Sequence, residues 1–164
     1  MRSFEPPLWQ TGESSIADVI LDPTSRDDIP QLLLGLQYLY TTPSIRAEVL
    51  QILDEVLPEE VDRSTGRPGM ALWRMLVMGT LRLNLNWDYD RLGEMVNQHR
   101  TIRQMLGHGL VDDGQLYHVQ TLKDNVSLLT PAILDRINQV VVRAGHGLVK
   151  KKAKAPRKRW KRRY

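Results

Sequence analysis

Between Met70 and Leu85 the chain places Leu72, Trp73, Met75, Leu76, Val77, Leu81 and Leu83 around nearly the whole circumference of a helix. A surface helix keeps one polar face, so a helix that is apolar on all sides must be wrapped by other elements or by lipid. Lipid is not expected. No stretch approaches eighteen uncharged apolar residues, and the opening Met1-Arg2-Ser3-Phe4-Glu5-Pro6-Pro7 lacks the apolar run of an export signal. The rest of the chain must therefore supply the wrapping, and 164 residues suffice for one domain that does so.

The flanking segments have the right pattern. Asp27 and Asp28 offer carboxylates to the start of a helix beginning near Pro30, with Leu32, Leu33, Leu36, Tyr38 and Leu39 on its buried sides. Thr42-Pro43 reads as a capping Thr with Pro at the first helical position, followed by Ile45, Val49, Ile52, Leu53 and Val56 at helical spacing. After the central helix, Asn84-Leu85-Asn86-Trp87 breaks the run. Asp88 then caps a helix carrying Tyr89, Leu92, Met95 and Val96, and a short helix from Thr101 to Leu106 stops at Gly107. A further helix is expected over Gln115 to Leu129, its stripe made by Leu116, Val119, Leu122 and Val126. Thr130-Pro131 opens the last helix, with Ile133, Leu134, Ile137, Val140 and Val141 inward and Gly145 as its stop.

Ile16, Val19 and Ile20 form only a weak apolar pattern, closed by Pro23. No period-two segment bounded by hairpin turns occurs, so the expected fold is all-α. Its organisation is an extended arm over 1–12, with Trp9 placed to pack on the body, then a multi-helix domain over 13–149. A polar, turn-rich linker over 58–69 divides the domain, and a disordered basic tail occupies 150–164. Within the domain, residues 70–106 give a long helix, a tight polar break and two shorter helices, an order compatible with a helix-turn-helix-like unit.

Visible catalytic machinery is lacking. The chain has no Cys, which removes disulfides and thiolate metal ligands, and it has neither a Gly-x-Ser-x-Gly elbow nor a Gly-rich phosphate loop. His99, His108, His118 and His146 form no His-x-x-x-His pair, and His108 with Asp112 and Asp113 matches known ligand spacings only loosely. No metal site or other cofactor is expected in this chain. Gly-His-Gly-Leu-Val occurs at both 107–111 and 145–149, but the flanks share no pattern, and both copies read as glycine helix stops followed by an aliphatic contact.

Charge carries the functional signal. The last fifteen residues hold ten of the 23 Lys and Arg residues and no Asp or Glu. Residues 1–149 are left with 13 basic against 19 acidic residues, a net charge of −6. An acidic body with a polycationic tail points to a polyanionic partner. Lys and Arg along a phosphate backbone gain affinity by releasing counterions, and Trp160 and Tyr164 within the tail are placed to stack on bases or sugars. The residues expected to meet DNA are Arg67, Arg74, Arg82, Arg91, His118 and Lys123 in the body. In the tail they are Lys150, Lys151, Lys152, Lys154, Arg157, Lys158, Arg159, Lys161, Arg162 and Arg163. The alternative is a stand-alone helical oligomerisation or regulatory protein whose tail binds nucleic acid without sequence preference.

Gly66-Arg67-Pro68-Gly69-Met70, Leu72-Trp73-Arg74 and the helix at Asp88-Tyr89-Asp90-Arg91-Leu92 resemble the N-terminal domain of bacterial insertion-sequence DDE transposases. The likeness continues through Asn97-Gln98-His99-Arg100-Thr101, Met105-Leu106-Gly107-His108 and Asp124-Asn125-Val126-Ser127-Leu128-Leu129-Thr130-Pro131. It reaches upstream to Ser25-Arg26-Asp27-Asp28-Ile29-Pro30 and extends to about Lys152. The order and spacing of these segments carry it, rather than any one of them.

The resemblance implies a DNA-binding and multimerising domain that precedes an RNase H-like catalytic domain. Carboxylates of that following domain hold two divalent ions, such as Mg, for phosphodiester attack. This sequence stops at Tyr164, ahead of the strand that would bear the first of them, so the expectation is a truncated or split transposase lacking its own catalytic triad. No catalytic residue carries over. The run Arg157 to Arg163 is more basic than the family pattern. The partners implied are DNA, at the element's terminal repeats, and a second copy of the chain, without a membrane. The setting implied is the bacterial cytoplasm, in association with the nucleoid.

Overall fold

A computed structural model describes residues 16–56, 70–108 and 115–153, with the side chains of Val56 and of 144–153 excepted. The arm at 1–12, the linker at 58–69 and Arg67 lie outside the described residues, as does the tail from Lys154 onward. Among the described residues the structure is all-helical. A single 3-10 turn at Ile16–Asp18 precedes α1 (Asp28–Thr41), α2 (Pro43–Val56), α3 (Leu72–Leu85), α4 (Tyr89–Gln98), α5 (Arg100–Met105), α6 (Val119–Val126) and α7 (Pro131–Ala153).

The apolar circumference of α3 makes it the centre of the molecule. Trp73, Met75, Leu76, Val77, Met78 and Leu81 are at most 1% exposed, and α1, α4 and α6 all pack against the helix. Gly79 lets the segment after α6 close on it, since a methyl group there would collide with Leu129 Cδ2 and stand 3.2 Å from Leu129 Cγ. Each fully buried side chain along these fourteen residues contributes about 1.5–3 kcal/mol of hydrophobic drive.

Two groups of helices surround this axis. On one side α1 and α2 pack together with only Thr42 between them, and α7 lies along α2. The exposed pair Arg136 Nη2 to Glu55 Oε2, 3.1 Å, joins the start of α7 to the end of α2. That pair is half exposed and contributes little; the burial of Ile45, Val49, Leu53, Ile133 and Ile137 holds the helices together. On the other side α4 packs on α5 and α6. Gly93 permits the close approach of α4 and α6, because a Cβ there would lie 3.3 Å from Val119 Cγ2.

The local signals at several ends hold. Asp88 Oδ1 accepts the Arg91 N–H at 2.7 Å, and Thr130 Oγ1 accepts the Ile133 N–H at 3.4 Å. Asn86 takes a left-handed conformation, φ 53°, in the break between α3 and α4. Gly107 ends the α5 region with φ 92°.

Elsewhere the expectations fail for identifiable reasons. The Thr42 hydroxyl does not cap α2 but donates back to the Tyr38 carbonyl at 2.8 Å, closing α1. Ile20, read as part of an apolar pattern with Ile16 and Val19, is 92% exposed, whereas Ile16 in the 3-10 turn and Val19 just after it are buried. The helix expected from Gln115 begins only at Val119, and Leu116 is 63% exposed. Side-chain hydrogen bonds from Asn97 hold the backbone of Tyr117 and compete with helix formation there. Gly145 does not stop α7, which continues through Ala153. A glycine permits the left-handed stop without imposing it, and the Lys-rich stretch beyond it consists of good helix formers. The helix therefore runs four residues past the boundary expected at 149, and the backbone of Lys150, Lys151 and Lys152 is helical.

Candidate nucleic-acid interface

The polar interior of the α3–α6 half is a set of side chains serving backbone groups that no helix satisfies. Trp73 Nε1 donates to the Met105 carbonyl at 2.7 Å, and the next residue, Arg74, donates from Nε to the Leu106 carbonyl at 3.0 Å. These bonds neutralise carbonyls at the end of α5. Arg103 reaches the Val96 carbonyl from Nη1 at 3.2 Å and the Gln115 carbonyl from Nη2 at 2.9 Å. Asn97 takes the Tyr117 N–H at 2.7 Å and donates to the Tyr117 carbonyl at 2.9 Å. The Tyr117 hydroxyl meets His108 Nε2 at 2.6 Å, with His108 only 4% exposed. Together they fix where α6 begins.

The six body residues expected at DNA separate on this geometry. Arg74 is half-buried, tied through Nε to the Leu106 carbonyl, with its guanidinium carbon 6.0 Å from the Tyr117 ring centroid and its Nη2 buried, so the side chain is turned to the interior. Arg82 is also half-buried, its guanidinium carbon 4.2 Å above the Tyr89 ring, which braces the turn between α3 and α4. Arg91 is exposed and pairs with Glu94 at 3.2 Å, one turn along α4. His118 and Lys123 are exposed, at the N-cap and in the last turn of α6. Arg67 lies outside the described residues. Of the tail cations, Lys150, Lys151 and Lys152 have backbone in α7; the others, Lys154 to Arg163, lie outside.

What remains on the surface centres on α6. Leu122 and Val126 point inward, whereas Gln120, Thr121, Lys123 and Asp124 are exposed, and Gln120 Nε2 donates to Asp124 Oδ1 at 2.9 Å. Amide, hydroxyl and ammonium groups on one short helix can bond base edges and phosphates alike. Gln120 and Thr121 carry no signal of this in the sequence, since a polar residue opposite an apolar stripe is ordinarily only solvated. The same holds for the exposed Arg100 and Arg143.

Among the described residues no three His, Asp or Glu side chains gather as a metal site would need, and no helix is long and apolar enough to cross a membrane. His146, Asp112 and Asp113 are beyond the described side chains. Comparison with protein-family models, with curated proteins and with solved structures finds no match to this chain.

Proposed function

We propose that the chain is the DNA-binding N-terminal part of an insertion-sequence transposase, taking duplex DNA at the element's terminal repeats and leaving strand chemistry to a catalytic domain. One observation carries the reading furthest: α7 runs unbroken from Pro131, where Ile133 and Ile137 sit in the core, to Ala153. Lys150, Lys151 and Lys152 thus stand on a rod anchored in the body. The ten cations from Lys150 to Arg163 then act at a fixed starting point, which lets phosphate binding and a second contact reinforce each other.

The second contact is assigned to α6, with Gln120, Thr121 and Lys123 turned to the groove and His118 at its N-terminal end. In this reading the helix-turn-helix-like unit expected over 70–106 is extended by α6, which packs on α3 and α4 and lies close to Gly93. Arg74 and Arg82 support it from inside. Arg91, Arg100 and Arg143 are left for backbone contacts.

The test is selection from a pool of randomised duplexes with the full chain and with a form lacking residues 150–164. A body that reads sequence enriches the same site in both, at lower affinity without the tail. If the shortened form binds nothing and the full chain enriches no site, the body is not a sequence reader and the tail alone accounts for binding.

A further inference from the structure

A cavity of about 140 Å³ lies where α1, α3 and α7 meet, away from the α6 face. Leu36, Leu39, Leu76 and Ile137 form its walls, all at most 5% exposed, and Gln31, Asn84 and Asn138 stand around it as exposed amides. Gly35 is exposed on the same lining, and a Cβ there would meet nothing within 4 Å, which marks the mouth.

One polar atom in this lining has no partner. Thr80 is 6% exposed, and its Oγ1 is buried without a hydrogen bond. The neighbouring amide does not answer it, because Asn84 Nδ2 donates to the Thr80 carbonyl at 2.8 Å rather than to the hydroxyl. Gln31 is likewise engaged elsewhere, donating to the Ser25 carbonyl at 2.9 Å. A buried hydroxyl left unbonded is costly, and structures normally give such a group a partner.

From the apolar walls, the size and the orphan hydroxyl together, we infer that this cavity is a binding site for a compact, mostly apolar molecule carrying one hydroxyl group, of the size of phenol. Apolar cavities near 150 Å³ hold a benzene-sized guest. The hydroxyl of the ligand meets Thr80 Oγ1, its ring lies against Leu36, Leu39, Leu76 and Ile137, and the amides at the mouth keep larger molecules out. An occupant joins α1 and α3 to α7, the helix that carries the basic segment.

The experiment titrates the full chain with phenol and with toluene, following chemical shifts of the leucine and isoleucine methyl groups. The same titrations are run on Thr80→Val, which keeps the shape and removes the hydroxyl, and on Gly35→Leu, which closes the mouth. Saturable phenol binding is expected in the unaltered chain. It should weaken about fivefold in Thr80→Val, the worth of one hydrogen bond near 1 kcal/mol, while toluene binds Thr80→Val at least as well. Gly35→Leu should lose both. The inference is overturned if neither probe saturates in the unaltered chain, or if phenol binding is the same in all three proteins while circular dichroism shows each one folded.

Discussion

Asn97 holds Tyr117 by both backbone groups, its Oδ1 taking the N–H at 2.7 Å and its Nδ2 giving to the carbonyl at 2.9 Å. Twenty residues apart in sequence, the two are joined as neighbouring strands would be, by an amide side chain in place of a second backbone. The clamp ends the segment after Gly114 and releases the chain into α6. Asn97→Ala leaves two part-buried backbone groups unpaired, so unfolding in urea should show a loss of about 2 kcal/mol. A loss below about 0.5 kcal/mol, the range of a neutral surface change, would mean that water replaces the clamp without cost.

His99 makes the junction between α4 and α5 sensitive to acid. Its Nδ1 accepts the Ile102 N–H at 3.3 Å, which only a neutral ring nitrogen can do, and burial holds the imidazole below its usual pKa. A depressed folded value means that this contribution is complete above the ordinary histidine range and disappears as pH falls through the folded value. Melting temperature should therefore drop between pH 7 and 5 more steeply in the unaltered chain than in His99→Asn, which caps without titrating. Identical slopes would remove His99 from the acid response. The Asp22 carboxylate, held low by the Thr24 hydroxyl and N–H, acts in a separate window, below the ordinary carboxylate range.

Two helix-interior glycines should respond oppositely to the same change. At Gly35 a methyl group meets open space, so Gly35→Ala should stabilise by about 0.5–1 kcal/mol through helix propensity alone. At Gly79 the same methyl group forces Leu129 to repack, and crowding of that kind costs about 1–3 kcal/mol, more than the propensity gain returns. Denaturant midpoints of the two variants rank them, and a higher midpoint for Gly79→Ala than for Gly35→Ala would refute the close packing of α3 on Leu129.

The cations divide into two kinds, and stability measurements separate them. Arg74→Ala removes the donor to the Leu106 carbonyl and the guanidinium beside the Tyr117 ring, and should cost about 1–3 kcal/mol. Arg91→Ala loses one exposed pair with Glu94 and should stay within about 0.5 kcal/mol. Chemical denaturation of both variants checks the division; equal losses would undo it.

This division also shows what can be read from sequence and what cannot. The central position of α3 is legible because a helix with no polar face has only one place to go, and Asp88 is legible because its cap is local. Leu116 misleads because it fits the helical period of Val119 and Leu122, while the bonds that hold its neighbour Tyr117 come from Asn97. Gly107 and Gly145 sit in the same five-residue sequence, yet only the first adopts a positive φ, since the continuation of the chain decides the outcome. Arg74 looks like a surface cation because its partner carbonyl lies 32 positions away, a distance over which spacing carries no information. On α6 the apolar stripe of Val119, Leu122 and Val126 is legible, whereas its close approach to α4 at Gly93 is not, because the contact joins segments far apart in the sequence.

The most direct measurement is the affinity of the full chain for a duplex carrying the kind of terminal repeat proposed as its target, by fluorescence anisotropy across a salt series. Protein lacking residues 150–164, and a Gln120→Ala, Thr121→Ala, Lys123→Ala triple variant, are measured beside it. A steep salt dependence is expected that flattens without the tail, by about 0.9 in log–log slope for each phosphate that is no longer neutralised. Preference for the repeats over unrelated duplex should survive tail removal and disappear in the triple variant. Equal affinity for repeats and unrelated DNA in all three proteins would contradict the claim that α6 reads sequence, and absence of binding at low salt would contradict the DNA-binding assignment altogether.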